Sequence, residues 1–154
     1  FITFDPNLRP ALWENEETMR SVINELASMA DVVLPGIEEC KILLGTTNME
    51  EAAQMYQKAG AKIVIIKDGS KGAFVKENEN TYTVPGFHVD KVVDTVGAGD
   101  GFAVGVISGI LEGRTIKESV RRGNAIGAIQ VMNISDNEGL PTKEELDKFI
   151  ETNK

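Results

Sequence analysis

Gly97, Gly99 and Gly101 alternate with small residues in the stretch Asp94-Thr-Val-Gly-Ala-Gly-Asp100-Gly101, and two aspartates, Asp94 and Asp100, stand among them. Glycines this dense are costly inside an ordinary strand or helix. The run Phe102–Leu111 that follows is small and apolar and reads as a buried helix. A glycine-rich turn that opens a helix leaves several backbone N–H groups aimed at one spot, and the helix dipole adds partial positive charge there. An anion belongs at that spot. A carboxylate beside an anion site suggests a phosphate together with a group that must give up a proton, which is the arrangement of phosphoryl transfer with a base.

Two common phosphate motifs are excluded. No Gly-Lys-Ser/Thr follows the turn, so it is not a Walker A loop. Phe102 stands where a dinucleotide fingerprint needs Gly or Ala. A strand-to-helix turn that merely packs tightly is the competing reading. The stretch from Asp94 to Asp100, with its flanking helix, resembles the signature of the ribokinase-like (PfkB) family of carbohydrate kinases. The resemblance covers nearly all 154 residues and corresponds to the C-terminal half of a full-length kinase, so the chain is expected to be a fragment, inactive or only partly active alone. It implies an anion hole at Gly97, Ala98 and Gly99, and a catalytic base at Asp100.

Other segments extend the resemblance. Lys67-Asp-Gly69-Ser-Lys-Gly72 is similar to the family's nucleotide segment, which implies nucleotide binding at Lys67, Gly69 and Gly72; a plain glycine-rich turn is the alternative. Asn124 matches a position beside the adenine, although a lone Asn on a helix is more often solvated. Glu39 matches the acidic member of an Asn-x-x-Glu metal segment, but Gly36 replaces the Asn. Asp94 is a second metal candidate. ATP and Mg²⁺ are the implied cofactors, with a monovalent cation as a further one. Phe4-Asp-Pro-Asn-Leu-Arg-Pro10 with Leu12-Trp13 resembles the 2-keto-3-deoxygluconate kinases of the family and its bacterial fructokinases. Arg9 then becomes a substrate residue, since an Arg fork grips a carboxylate in bidentate fashion; a surface salt bridge is the alternative. Asp136 falls where the sugar-acid kinases place a second substrate contact. The resemblance implies transfer of the γ-phosphate to a primary hydroxyl of a sugar or sugar acid. Fructokinase, ribokinase and a nucleotide-binding module without catalysis are the rivals.

Composition narrows the partners. Hydrophobic content of 42% and charged content of 26% are ordinary for a globular domain. A net charge of −8 argues against nucleic acid. The single cysteine, Cys40, allows no internal disulfide and fits a cytoplasmic setting. No apolar run approaches the roughly 20 residues of a membrane span, so no membrane partner is expected. His88 has no companion at metal-ligand spacing. A homo-oligomer of the full-length protein stays open.

These residues need a frame. Phe1–Asp5 reads as a buried strand. Residues 15–30 read as a helix with Met19, Val22, Ile23, Leu26, Met29 and Ala30 on one face. Val32-Val33-Leu34 reads as a central parallel strand, and 38–44 as a short helix closed by Gly45. Asn48 with Glu51, Thr115 with Glu118 and Thr142 with Glu145 mark three helix starts. Lys62–Lys67 is an apolar strand, and 73–75 with 81–84 reads as a hairpin. Val92-Val93 leads into the glycine turn. Alternating strands and helices, with no linker or repeat, predict one α/β domain: a mostly parallel sheet with helices on both faces and a small hairpin. Ligands of such sheets gather at the C-terminal ends of the strands.

Overall fold

The computed structural model describes residues 1–134 and 139–153. They form two compact units, Phe1–Asp68 with Phe74–Thr83, and Gly69–Ala73 with Val84–Lys154. The division crosses the hairpin strands rather than a linker, in keeping with a sequence that contains none.

In the first unit, β1 (Thr3–Phe4), β2 (Val32–Val33) and β3 (Ile63–Lys67) run parallel, with Thr3 beside Val32 and Val32 beside Ile63. The sheet continues through β4 (Gly72–Glu77) and β5 (Asn80–Pro85) in the order β1-β2-β3-β4-β5. The two-residue turn between β4 and β5 has Asn78 at φ 53°, which Asn tolerates. The hairpin strands are longer than their apolar cores suggested. Val32 and Val33 are both fully buried although they point to opposite faces, so the sheet is covered on both sides there.

The covering helices are α1 (Glu16–Ser28), α2 (Ile37–Leu44) and α3 (Met49–Ala59). Ala52, Ala53 and Tyr56 of α3 pack with Val33, Val64 and Ile66. Met19 and Ile23 of α1 pack with Leu43 of α2, and with Leu8 and Trp13 from the segment after β1. The Asn48 side chain accepts from Glu51 N–H at 3.1 Å, and Gly45 closes α2 at φ 80°.

Two expectations are corrected. β1 is short and half-buried, with Phe1 and Ile2 exposed, because it is an edge strand with only β2 beside it. Leu26 and Met29 are also exposed, and Ala27 faces inward with Met19 and Ile23. The buried stripe of α1 runs strictly every fourth residue and is narrower than the apolar pattern.

The second unit holds α4 (Ala98–Leu111), α5 (Ile116–Gln130) and α6 (Lys143–Thr152). Thr115–Glu118 and Thr142–Glu145 are both reciprocal capping boxes. Phe87, Ala125, Ile126, Ala128 and Leu146 form the core, with Phe149 and Ile150 against it. α4 lies unusually close to α5. A Cβ added at Gly105 would sit 2.6 Å from Gly123 Cα, and one at Gly109 would sit 2.8 Å from Ser119 Cα. Gly101, Gly105 and Gly109 recur every fourth residue, so one whole side of α4 is bare backbone pressed on its neighbour. At the far end of α4, Glu112 holds the buried Arg122 of α5 at 2.7 Å.

Candidate active site

The glycine turn lies wholly in the second unit. Gly97 takes φ 78°, a left-handed conformation open to glycine at little cost, and so turns the chain into α4 with no side-chain cap. Ala98 N–H reaches Thr95 O only at 3.4 Å, while Gly101 N–H makes a helical bond to Gly97 O at 2.8 Å. Between them, the N–H groups of Gly99 and Asp100 meet no acceptor among the described residues. These are the unsatisfied donors of a helix start, and both residues are exposed. The Asp100 carboxylate stands in the same first turn. Preorganised N–H groups of this kind can receive a developing anion without reorganisation.

Asp94 fixes the approach to the turn. Its Oδ1 accepts from Val96 N–H at 3.0 Å, and Val93 N–H donates to Val131 O at 2.7 Å just past α5. Val92-Val93 is irregular, exposed backbone rather than a strand.

Gly69, Gly72 and Asn124 belong to the same unit. Gly72 has φ 102°, and a Cβ there would overlap the Val84 carbonyl oxygen. Gly86 answers from the other side, where a Cβ would overlap the Ser70 carbonyl oxygen. Gly69, at φ 54°, faces open space. Asn124 is buried, not solvated: its Nδ2 donates to Val84 O at 3.1 Å and Pro85 O at 3.0 Å, tying the end of β5 to α5.

Arg9, Glu39 and Lys67 belong to the first unit, at the C-terminal ends of β1, β2 and β3. Lys67 Nζ lies 2.6 Å from Asp5 Oδ2, with both side chains less than a fifth exposed. Burial pushes the Asp5 carboxyl above its ordinary range, Lys67 pulls it back, and Glu39 pushes it up again. Glu39 Oε1 accepts from Leu8 N–H at 2.8 Å and its Oε2 from Gly36 N–H at 2.7 Å. Arg9 is exposed, and its Nη1 donates to Asn7 Oδ1 at 2.8 Å and Leu8 O at 3.0 Å. The pairing partner Asp5 was missed in sequence, because nothing local links it to a residue 62 positions away.

Asp136 lies outside the described residues. His88 is exposed beside Asp90 at 3.1 Å. Cys40 is buried, and desolvation pushes its thiol up to about 12, far from a nucleophile. Among the described residues no three His, Cys, Asp or Glu side chains gather as a metal site, and no helix is long and apolar enough to cross a membrane.

The model of the pfkB family of carbohydrate kinases matches residues 1–143. The chain belongs to that family. It is 53% identical over 149 residues to 2-dehydro-3-deoxygluconokinase of Bacillus subtilis (strain 168), covering 97% of this chain and 46% of that protein. Among solved structures it is similar to a PfkB protein from Polaromonas sp. JS666, with TM-score 0.82 and 48% identity over 94% of this chain and 45% of that one. A double mutant of fructokinase from Vibrio cholerae O395, bound to fructose, ADP and potassium ion, matches at TM-score 0.90 and 29% identity over 96% of this chain and 49% of that one. The ribokinase-like fold expected from the glycine turn is thus the fold of this pfkB chain. The chain spans less than half the length of the curated relative named here.

Proposed function

We propose that this pfkB chain is part of an ATP- and Mg²⁺-dependent kinase that phosphorylates a primary hydroxyl of 2-keto-3-deoxygluconate. One observation carries the reading: the start of α4 offers open N–H groups at Gly99 and Asp100 with a carboxylate in the same turn. The N–H groups hold the charge of the transferred phosphoryl, and a preorganised donor of this type is worth about 3 kcal/mol in a transition state. The Asp100 carboxylate accepts the proton of the attacking hydroxyl. A carboxylate at a helix start is a weak base. That suffices here, because the transition state of phosphoryl transfer is loose and asks for little early deprotonation.

Magnesium supplies charge neutralisation when bound and keeps most of its ligands as water and phosphate. Asp94 is the candidate carboxylate near it, with Oδ1 engaged by the Val96 N–H. Lys67, Gly69, Gly72 and Asn124 are the nucleotide residues on this reading, a monovalent cation is a further ligand, and Asp136 is a second substrate contact. A cytoplasmic setting, where the single thiol of Cys40 stays reduced, completes the reading.

Arg9 supports an acidic sugar. Among the described residues its hydrogen bonds run through Nη1 to its own loop, which leaves the Nε–Nη2 edge for a carboxylate. The likeness to a fructose-bound fructokinase favours a second reading, a neutral ketose substrate. Steady-state kinetics on the intact enzyme separate the two. On the first reading 2-keto-3-deoxygluconate exceeds fructose and ribose in kcat/KM, and Arg9→Ala erodes that preference. Equal losses for acidic and neutral sugars would sink the carboxylate role. The isolated 154-residue chain should bind an ATP analogue weakly and turn over little; a normal rate from it would show the active site to be misassigned.

A further inference from the structure

Both oxygens of Glu39 are engaged by backbone. Oε2 accepts from Gly36 N–H, three residues back at the start of α2, and this closes half of a capping box. Oε1 crosses 31 residues of sequence to accept from Leu8 N–H. Leu8 is the residue immediately before Arg9. The carboxylate thus pins the segment after β1 to the helix after β2.

The rest of that segment is held to the same end. Asp5 is locked to Lys67 at the end of β3, and its Oδ1 accepts from Asn7 N–H at 3.3 Å. Asn7 takes a left-handed φ of 41°, which lets the chain double back so that its Oδ1 meets Arg9 Nη1. Leu8 and Trp13 pack onto Met19, Ile23 and Leu43 beneath. Each restraint bears on the direction of one guanidinium.

We infer that Glu39 is a positioning residue: it clamps the Leu8 amide so that the Arg9 fork presents its open edge to the carboxylate of an acidic sugar. The inference rests on the sugar-acid reading above. It also gives the Glu39 carboxylate a use other than metal ligation. A carboxylate that accepts two N–H bonds at 2.7–2.8 Å is oriented by them, and those bonds are broken or shared if a cation claims the same oxygens.

A double-mutant cycle on the intact enzyme tests this with Glu39→Gln, Arg9→Ala and the pair together. Glu39→Gln keeps the shape but has one carbonyl oxygen in place of two acceptors. Its cost should fall on KM for 2-keto-3-deoxygluconate, raised roughly tenfold, rather than on kcat or on the magnesium concentration for half-maximal rate. In the Arg9→Ala background the same substitution should add almost nothing. Additive effects in the cycle overturn the inference, as does a raised magnesium requirement with KM unchanged, or a lower melting temperature with unchanged kinetics. If Arg9→Ala alone leaves the sugar-acid KM untouched, the sugar-acid reading falls and the inference with it. If Arg9→Ala acts and Glu39→Gln does not, the inference alone falls. Amide exchange of the unsubstituted enzyme is the second readout: Leu8 N–H should become better protected when 2-keto-3-deoxygluconate binds, and unchanged protection counts against the clamp.

Discussion

Asp100 meets solvent from the first turn of α4 with no side-chain partner among the described residues, whereas Asp94 spends an oxygen on the Val96 amide. The two aspartates should therefore fail differently. Asp100→Asn keeps the volume and can still serve the helix start, but on the proposed reading it can no longer take the hydroxyl proton. We expect kcat of the intact enzyme to fall by about 10²–10⁴ with ATP affinity retained or slightly improved. A near-normal kcat with weakened ATP binding would assign Asp100 to binding instead. Asp94→Asn keeps the oxygen that receives the Val96 N–H but loses the negative charge, so on the proposed reading it should cost nucleotide affinity in the presence of magnesium as well as rate. The turn that carries both aspartates was legible in sequence because its signal is local, set by glycines within three residues of each. The partners of Lys67 and Asn124 were not. Asp5 lies 62 residues from Lys67, and the carbonyls of Val84 and Pro85 lie 40 and 39 residues from Asn124, so only the folded chain brings them together.

The helices show the same division between local and distant causes. Helix starts at Asn48, Thr115 and Thr142 could be read directly, because a cap is made by residues three apart. The exposure of Leu26 and Met29 could not, because it depends on what lies opposite α1. The contact between α4 and α5 is the sharpest case. Its glycines are visible at 101, 105 and 109, yet their purpose emerges only with Gly123 and Ser119 opposite. Gly105→Ala should force the helices apart and destabilise the protein by about 1–3 kcal/mol, the usual cost of overpacking, read from thermal melts. Gly45→Ala is the informative comparison. Nothing lies within 4 Å of a Cβ there, so only the left-handed φ of 80° is strained and the loss should be about 1 kcal/mol. Equal losses at the two sites would mean that α5 yields to the extra methyl.

Across the whole molecule, hydrogen bonds set the response to acid. Lys62 holds Asp31 below the ordinary carboxylate range, Gln54 does so for Glu50, and Arg122 for Glu112. The caps do the same at Glu118, through Thr115, and at Glu145, through the Thr142 amide. Each of these groups releases its proton more readily when folded, so the stability it contributes is present above its unfolded pKa and is lost as pH falls through its folded one. Asp5 runs the other way. Burial raises it, so its contribution is present below its unfolded pKa and is lost as pH rises through its folded one. Among the described residues the first set is larger, and the urea midpoint should fall as pH is lowered from about 6 to about 3. A flat midpoint over that range would show that these bonds do not persist in solution. The bare side of α4 has a consequence for how the protein is made. Gly99, Gly101, Gly105 and Gly109 each cost about 1 kcal/mol of helix propensity relative to alanine. So short a segment with so many of them does not coil by itself, and the surface of α5 is what makes it a helix. Synthesis proceeds from the N-terminal end, so α5 is the later of the two to arrive. A ribosome paused just after Leu111 would hold a chain with every residue of the glycine turn and none of its geometry.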